Sequence, residues 1–372
     1  MMRHLNLPLI ILLNILTALA FLEGMLRVVE PVPLTGYQYQ PCIFAYDDQL
    51  GYRFKAGAIG RTVRFHEINN VVKINDIGFH DLDRKAVLET TDAYPRPIRI
   101  LAFGDSFTAG VEVPVEDGWT QKLERELMAR RMPHAATRSI EVINLGLGGT
   151  GTDIHLKLMK EWVHKLKPDL VVLAFFFNDV GDNWRKTIHY SCYKDFVLGF
   201  QFDHQVAGLK ETIDQKYPST FLTQIYRSLY TVQALNFYLH FAPNINVEWA
   251  KPVVAKDIPI GIDKLFAQMH EVVKKVGAEF VVIPVPPRQE TPPLPESFNV
   301  ARQPAADARV ALLDVRPEIQ NLLSEYDLRP SDMYWQHDGH FNRQGHDIFA
   351  RATANKLWPR IRILLNAENS AH

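Results

Sequence analysis

Cysteine is nearly absent, with only Cys42 and Cys192 in 372 residues. Two thiols can form a single bridge in an oxidising compartment or none at all, but they cannot make a disulfide framework. No Cys/His spacing points to a zinc site. An excess of charge is missing as well: 41 Lys+Arg stand against 42 Asp+Glu, for a net of −1. Nucleic acid is therefore not expected as the principal partner, because phosphate binding needs a basic surface. Long internal repeats and low-complexity stretches do not occur, which sets aside repeat arrays.

Long apolar runs are scarce too, and the one present is at the amino terminus. Residues 5–22 carry no formal charge, close to the minimum for spanning a bilayer. Arg3 precedes the run, a positive-inside cue that would leave the remainder outside the cytoplasm. Ala18-Leu19-Ala20 resembles a small-residue cleavage site. Three readings stay open for residues 1–29: an uncleaved membrane anchor, a removed signal peptide, or a buried helix. The first two place the following chain on the periplasmic or extracellular side, and the first makes the membrane itself a partner.

What the chain does have is apolar content enough for a real core, 47% of residues, and a length beyond one compact domain. Residues 30–96 mix turn signals with short alternating stretches such as RTVRFHEINNVVKI, the pattern of an accessory β-rich segment. From residue 97 to about 366 short apolar runs alternate with helical periodicity. Strands are expected at 98–103, 140–145, 169–177, 279–285 and 310–314, and helices at 119–131, 154–166, 262–276 and 345–357. Such alternation predicts an α/β fold with a doubly wound, mostly parallel five-stranded sheet. Its ligands belong at the carboxyl ends of the strands. Residues 180–259 interrupt the pattern with many aromatics, and Leu222, Ile225, Leu229 and Val232 recur at helical spacing. A helix packed on the core and a lid over the site are both compatible with that insertion.

Four separated pieces carry chemistry. Gly104-Asp105-Ser106 follows the first core strand; glycine permits the tight turn, and Ser106 stands near a helix start with its hydroxyl exposed. Gly146 to Gly151 follows the second strand and satisfies GxGxxG. A dinucleotide site would want that fingerprint after the first strand, with an acid ending the next one. Asp169 instead begins the third strand, so a turn with Gly149 N–H free to donate is the preferred reading. Asn178-Asp179 ends the third strand, where a side-chain amide could reach the same acceptor. Last comes His337-Asp338-Gly339-His340, followed by His346. Residues two apart in extended chain face the same way, so Asp338 can orient the His340 ring. A metal cluster of His337, Asp338, His340 and His346 is the competitor; it lacks matching ligands elsewhere, leaving His337 and His346 as surface or supporting residues.

These blocks, in this order, resemble the four signature blocks of the SGNH (GDSL-like) hydrolase superfamily. Ser106, Gly149, Asn178 and His340 match its naming residues, and Asp338 matches the acid shortly before the histidine. The resemblance implies a flavodoxin-like sheet and hydrolysis of acyl esters through an acyl-serine intermediate, without metal or organic cofactor. Ser106, His340 and Asp338 would form the triad, with Ser106, Gly149 and Asn178 as the oxyanion hole. Leu50-Gly51-Tyr52-Arg53 and Ile77-Gly78-Phe79 look like a bacterial membrane-anchored branch, some of whose relatives act on acetylated cell-surface polysaccharide. Two departures stand out: Phe176 replaces a usual glycine, and His337 occupies the more frequent acid position. An O-acyltransferase to a glycan hydroxyl and a non-catalytic cell-envelope binding module are the alternatives.

Overall fold

The computed structural model describes residues 7–29, 38–40, 43–47, 49–64, 67–84, 96–130, 138–183, 188–193, 196–201, 261–288 and 296–367. Contacts divide the chain into two compact units. The first contains helix α1 (Leu7–Val29). Its stretch Leu7–Leu26 spans 20 residues and is long and apolar enough to cross a membrane. At about 1.5 Å per residue that length is close to 30 Å, a hydrocarbon thickness. Leu7, Leu12 and Phe21 are exposed on it.

The second unit comprises Tyr39–Thr62, Glu67–His204 and Ala250–His372. Before its main sheet come short strands β1 (Gln38–Gln40), β2 (Phe44–Asp47), β3 (Gly51–Phe54), β4 (Ile59–Arg64) and β5 (Ile68–Lys73). Strands β2 and β3 form an antiparallel hairpin, and β4 and β5 are neighbours. Along β5 burial alternates, with Ile68, Asn70 and Val72 inward, as the two-residue strand period requires.

Five parallel strands make the main sheet: β6 (Ile98–Gly104), β7 (Ile140–Asn144), β8 (Leu170–Phe175), β11 (Glu279–Pro284) and β12 (Ala311–Leu312). Their spatial order is β12-β11-β8-β6-β7, all parallel. Counted along the chain this is 2-1-3-4-5, the flavodoxin-like order, with its switch point between β6 and β8. Every residue of β6 and β8 is buried, which explains why these strands read as continuous apolar runs: helices cover both faces. Alternate side chains serve opposite cores. Leu101, Phe103, Val171 and Leu173 join α4 (Thr152–Leu166) and α6 (Ile262–Lys274) on one face. Ile100, Ala102, Val172 and Ala174 meet α3 (Trp119–Ala129), α8 (Arg316–Glu325) and α9 (Arg343–Ala367) on the other.

Several details differ from the sequence expectation. Strand 310–314 shrinks to the two residues of β12, and α9 runs well past 357, through Pro359. Helices α7 (Ser297–Asp307) and α8 were not anticipated: Pro304 lies inside α7 and reads as a breaker, whereas Pro317 stands in the first turn of α8, where proline is tolerated. The insertion 180–259 contains an antiparallel hairpin, β9 (Ile188–Tyr193) and β10 (Phe196–Gln201). The helical spacing from Leu222 onward lies outside the described residues, as does Cys42, and with it any Cys42–Cys192 pairing.

The two ends of the sheet differ in chemistry. At the amino ends, Asp169 accepts from Arg96 at 2.7 Å and from the Arg99 N–H at 2.9 Å, and pairs with Arg138 at 3.3 Å. That acid is therefore spent on structure, at the opposite edge from the glycine turn. The carboxyl ends hold the remaining chemistry.

Candidate active site

Strand β6 leads into Gly104, where the chain turns so tightly that a Cβ would strike the Thr108 hydroxyl and lie 2.7 Å from the Ala174 carbonyl. Beyond it, Asp105 caps a single helical turn, α2 (Ser106–Ala109), by accepting the Phe107 N–H at 2.9 Å. Ser106 heads that turn. The turn after β7 presses against α2 at Gly146, where a Cβ would strike the backbone of Ala109 and Thr108. A Cβ on Gly151 would likewise strike the backbone of Asn183 and Asp179. The GxGxxG pattern is thus explained by close packing, of Gly146 and Gly148 on the serine turn and of Gly151 on Asp179 and Asn183.

The fourth motif arrives from the far end of the chain. A bridge between Tyr334 and Phe341 closes the loop that contains it, and the Trp335 N–H donates to the His340 carbonyl at 2.9 Å. Asn342 ties the loop base by donating to the carbonyls of Asp332 and Tyr334. Within the loop, Asp338 is fully buried and its Oδ1 lies 2.5 Å from Nδ1 of His340. On the other side of the ring, Nε2 is 2.7 Å from Oγ of Ser106. An imidazole held by a carboxylate at one nitrogen presents the other as an acceptor to a hydroxyl. The ring rests on aromatics: Phe107 is 5.0 Å from it, and Phe176 is 4.5 Å from Phe107. Phe176, standing where a glycine is usual, fills this floor and is itself buried.

Gly149 and Asn178 flank the serine turn. Gly149 has φ +71°, a left-handed conformation that L side chains rarely adopt, and it is exposed. At the neighbouring Gly148 a Cβ would contact the Ser106 Cβ at 3.4 Å, so the turn lies alongside the serine. The Tyr52 hydroxyl, from β3, lies 3.5 Å from where a Gly149 Cβ would be. Asn178 sits at the tip of β8, at the start of the short helix α5 (Asp179–Asp182).

Behind the site lie buried ionisable groups. Burial pushes the Asp105 carboxyl up to about 7. Burial, then the charge of Asp105, raises Asp179 well above the ordinary carboxylate range. Burial lowers His155 to about 3; its Nε2 is 3.1 Å from the Thr150 hydroxyl, and its Nδ1 is 4.0 Å from Asp179. His346 was expected at the surface or in support of the site. It is buried, its Nδ1 accepts the Trp119 N–H at 3.2 Å, and burial lowers it to about 3. His337 is exposed.

Among the described residues, the metal-type grouping is not the one weighed from sequence. Glu112, Asp338 and His340 have ligand atoms within 4.8 Å of one another, and His337 and His346 are outside that group. Glu112 is one of several site neighbours that sequence reasoning missed, with Tyr52, Glu67 and Arg288. Glu112, Glu67 and Arg288 are single residues without a motif to mark them, and the stretch Leu50-Gly51-Tyr52-Arg53 gave Tyr52 no place at the site.

The profile of the GDSL-like Lipase/Acylhydrolase family matches residues 102–348. The chain belongs to this family. As a GDSL-like acylhydrolase it is an ester-bond hydrolase, and the match spans the serine turn, both glycine and asparagine turns, and the histidine loop. Similar solved structures include an α/β hydrolase from the metagenome of Lake Arreo, Spain, at 15% identity, covering 69% of this chain and 94% of that one, with TM-score 0.40. The lipase/acylhydrolase of Enterococcus faecalis is 16% identical, covers 70% and 96%, and has TM-score 0.39. A catalytic mutant of an acetylxylan esterase from Geobacillus stearothermophilus is 17% identical, covers 70% and 93%, and has TM-score 0.39. A search of curated proteins finds no match.

Proposed function

We propose that this GDSL-like acylhydrolase is a serine esterase that works through an acyl-serine intermediate, with Ser106 as nucleophile, His340 as base and Asp338 as the residue orienting the base. One observation carries the reading: an unbroken chain of short contacts, 2.7 Å from Ser106 to His340 and 2.5 Å from His340 to Asp338. In the reaction, Nε2 of His340 takes the Ser106 proton while Oγ attacks the ester carbonyl carbon. The N–H groups of Ser106 and Gly149 and the Asn178 amide face the developing oxyanion. One such donor is worth about 2.7–4 kcal/mol of barrier. Collapse of the tetrahedral species breaks the bond to the alcohol oxygen, which leaves with the proton from His340. Water then repeats the sequence on the acyl-serine and releases the acid.

The substrate side of the proposal is an acyl ester, with O-acetyl groups of cell-surface polysaccharide as the first class to test. The apolar length of α1 supports a membrane anchor or an export signal, with the hydrolase unit outside the cytoplasm. Together these features fit a bacterial membrane-anchored member of the family.

The test uses the full chain in detergent. Wild type should cleave short-chain nitrophenyl esters and take up a fluorophosphonate on Ser106, and Ser106→Ala should do neither. Turnover by Ser106→Ala equal to wild type would falsify the mechanism. Supplying acetyl donor together with glycan acceptor separates hydrolysis, which releases acetate, from transfer, which yields acetylated glycan. A protein with neither turnover nor adduct would be a binding module.

A further inference from the structure

Three consecutive backbone N–H groups of the histidine loop converge on one side chain from the other end of the unit's sequence. Gln336 N–H donates to Oε2 of Glu67 at 2.7 Å. His337 N–H and Asp338 N–H donate to Oε1 at 2.8 and 2.7 Å. These lengths lie at the short end of the normal N–H···O range. The same stretch is held with opposite polarity from a second direction. The Arg288 guanidinium donates to the Trp335 carbonyl at 3.2 Å and also to the Gln336 carbonyl. A loop without regular secondary structure is thereby fixed at both its amide and its carbonyl groups.

Glu67 is itself firmly placed. It directly precedes β5, whose first residue Ile68 is buried. Two residues on, the Asn70 amide donates to the carbonyls of Val111 and Val113 at 2.9 and 2.7 Å. Those carbonyls belong to the segment that leaves the Ser106 turn. Strand β5 therefore connects the nucleophile side of the site to the acid side within a few residues. Asp338, the third amide donor to Glu67, is the residue whose carboxylate meets His340.

We propose that Glu67 is a positioning residue for the esterase reaction: by accepting the N–H groups of residues 336–338 it holds Asp338, and through it His340, in line with Ser106. The inference rests on the triad reading above. It assigns a role to a segment upstream of the family match at residues 102–348. Glu67 touches no reacting atom and acts through the loop. Without it the Asp338 backbone is released on its amide side, and the imidazole samples orientations in which Nε2 no longer faces the serine. Misplacement by about 1 Å is enough to cost on the order of 100-fold in rate.

The experiment compares wild type, Glu67→Ala, Glu67→Gln, Asp338→Ala and the double variant Glu67→Ala/Asp338→Ala, with Ser106→Ala as reference. Readouts are kcat, KM and the rate at which a fluorophosphonate labels Ser106. Glu67→Ala should lower kcat and the labelling rate by about 10- to 100-fold, with KM within about twofold of wild type. Glu67→Gln retains one acceptor oxygen and should recover part of the loss. In the Asp338→Ala background, removing Glu67 should cost little more, because the residue it positions is gone. Wild-type kcat in Glu67→Ala, with Ser106→Ala inactive, overturns the inference and leaves the triad reading intact. Losses that multiply independently in the double variant also overturn it, since they signify a general structural effect. An active Ser106→Ala overturns the triad reading itself.

Discussion

The Oγ of Ser106 lies 2.7 Å from Nε2 of His340, although 234 positions separate the two residues along the chain. Both groups sit at the carboxyl ends of the parallel strands, beside the β6/β8 switch point, where a doubly wound sheet leaves a crevice. Replacing the acid behind the imidazole tests this alignment. In Asp338→Asn the amide no longer supplies the charge that holds the Nδ1–H. We expect kcat to fall by about 10²- to 10⁴-fold, the usual worth of a positioned base. KM should change far less. Steady-state kinetics on a soluble ester checks both.

Gly149 and Asn178 give a second prediction. Gly149→Ala forces a side chain into φ +71°, at about 1–2 kcal/mol, and places its methyl against the Tyr52 hydroxyl. Asn178→Ala removes a side-chain amide at the tip of β8. Each should lower kcat by about 10²- to 10³-fold. Only Gly149→Ala should also lower the thermal midpoint, and calorimetry separates the two effects.

A third concerns stability at neutral pH. Burial raises the Asp105 carboxyl from 3.8 to about 7 in the folded protein. Between those values the folded state holds a proton that the unfolded state has lost. The contribution of this carboxyl to stability therefore declines as pH rises from about 4 to 7, and levels off above. Asp179, raised by burial and by the charge of Asp105, titrates together with it. In Asp105→Asn the side-chain oxygen can still accept the Phe107 N–H. The decline should be shallower by up to about 1.4 kcal/mol per pH unit. Urea unfolding at pH 5, 6 and 8 measures it.

Acid acts through different groups. Burial lowers His80 to about 4, and His155 and His346 to about 3. Each is neutral when folded, while in the unfolded chain it takes a proton near 6.5. Their contribution is complete above about 6.5 and is lost progressively as pH falls toward 3–4. His346→Gln should make acid unfolding less steep. Circular dichroism followed from pH 7 to 3 would detect it, and an unchanged slope would exclude His346 as a contributor.

The legible parts of this protein were those whose cause is local. Strands β6 and β8 read as strands because a parallel strand covered on both faces is apolar at every position. Helix α4 showed its buried face at helical spacing from Ile154 to Leu166. Ser106, Asp338 and His340 stood out because their spacing carries a mechanism. Helices α7 and α8 did not: Pro304 speaks against a helix locally and is outweighed by the burial of Ala301 and Ala305, while α8 is short and buries only Ile319 and Leu323. His346, in a polar run, was compatible with either a surface or a supporting place; its burial follows from the docking of α9 against Trp119.

Residue order alone thus determined the class of fold, the apolar amino-terminal helix and the motifs that carry Ser106, Asp338 and His340, because periodicity and short-range motifs are written within a few residues of chain. Only tertiary structure decided that Glu67, Asn70 and Tyr52 border the site, and that Glu112 joins Asp338 and His340. Contacts between distant segments leave no periodic trace. They follow from how strands and helices pack once the sheet has formed.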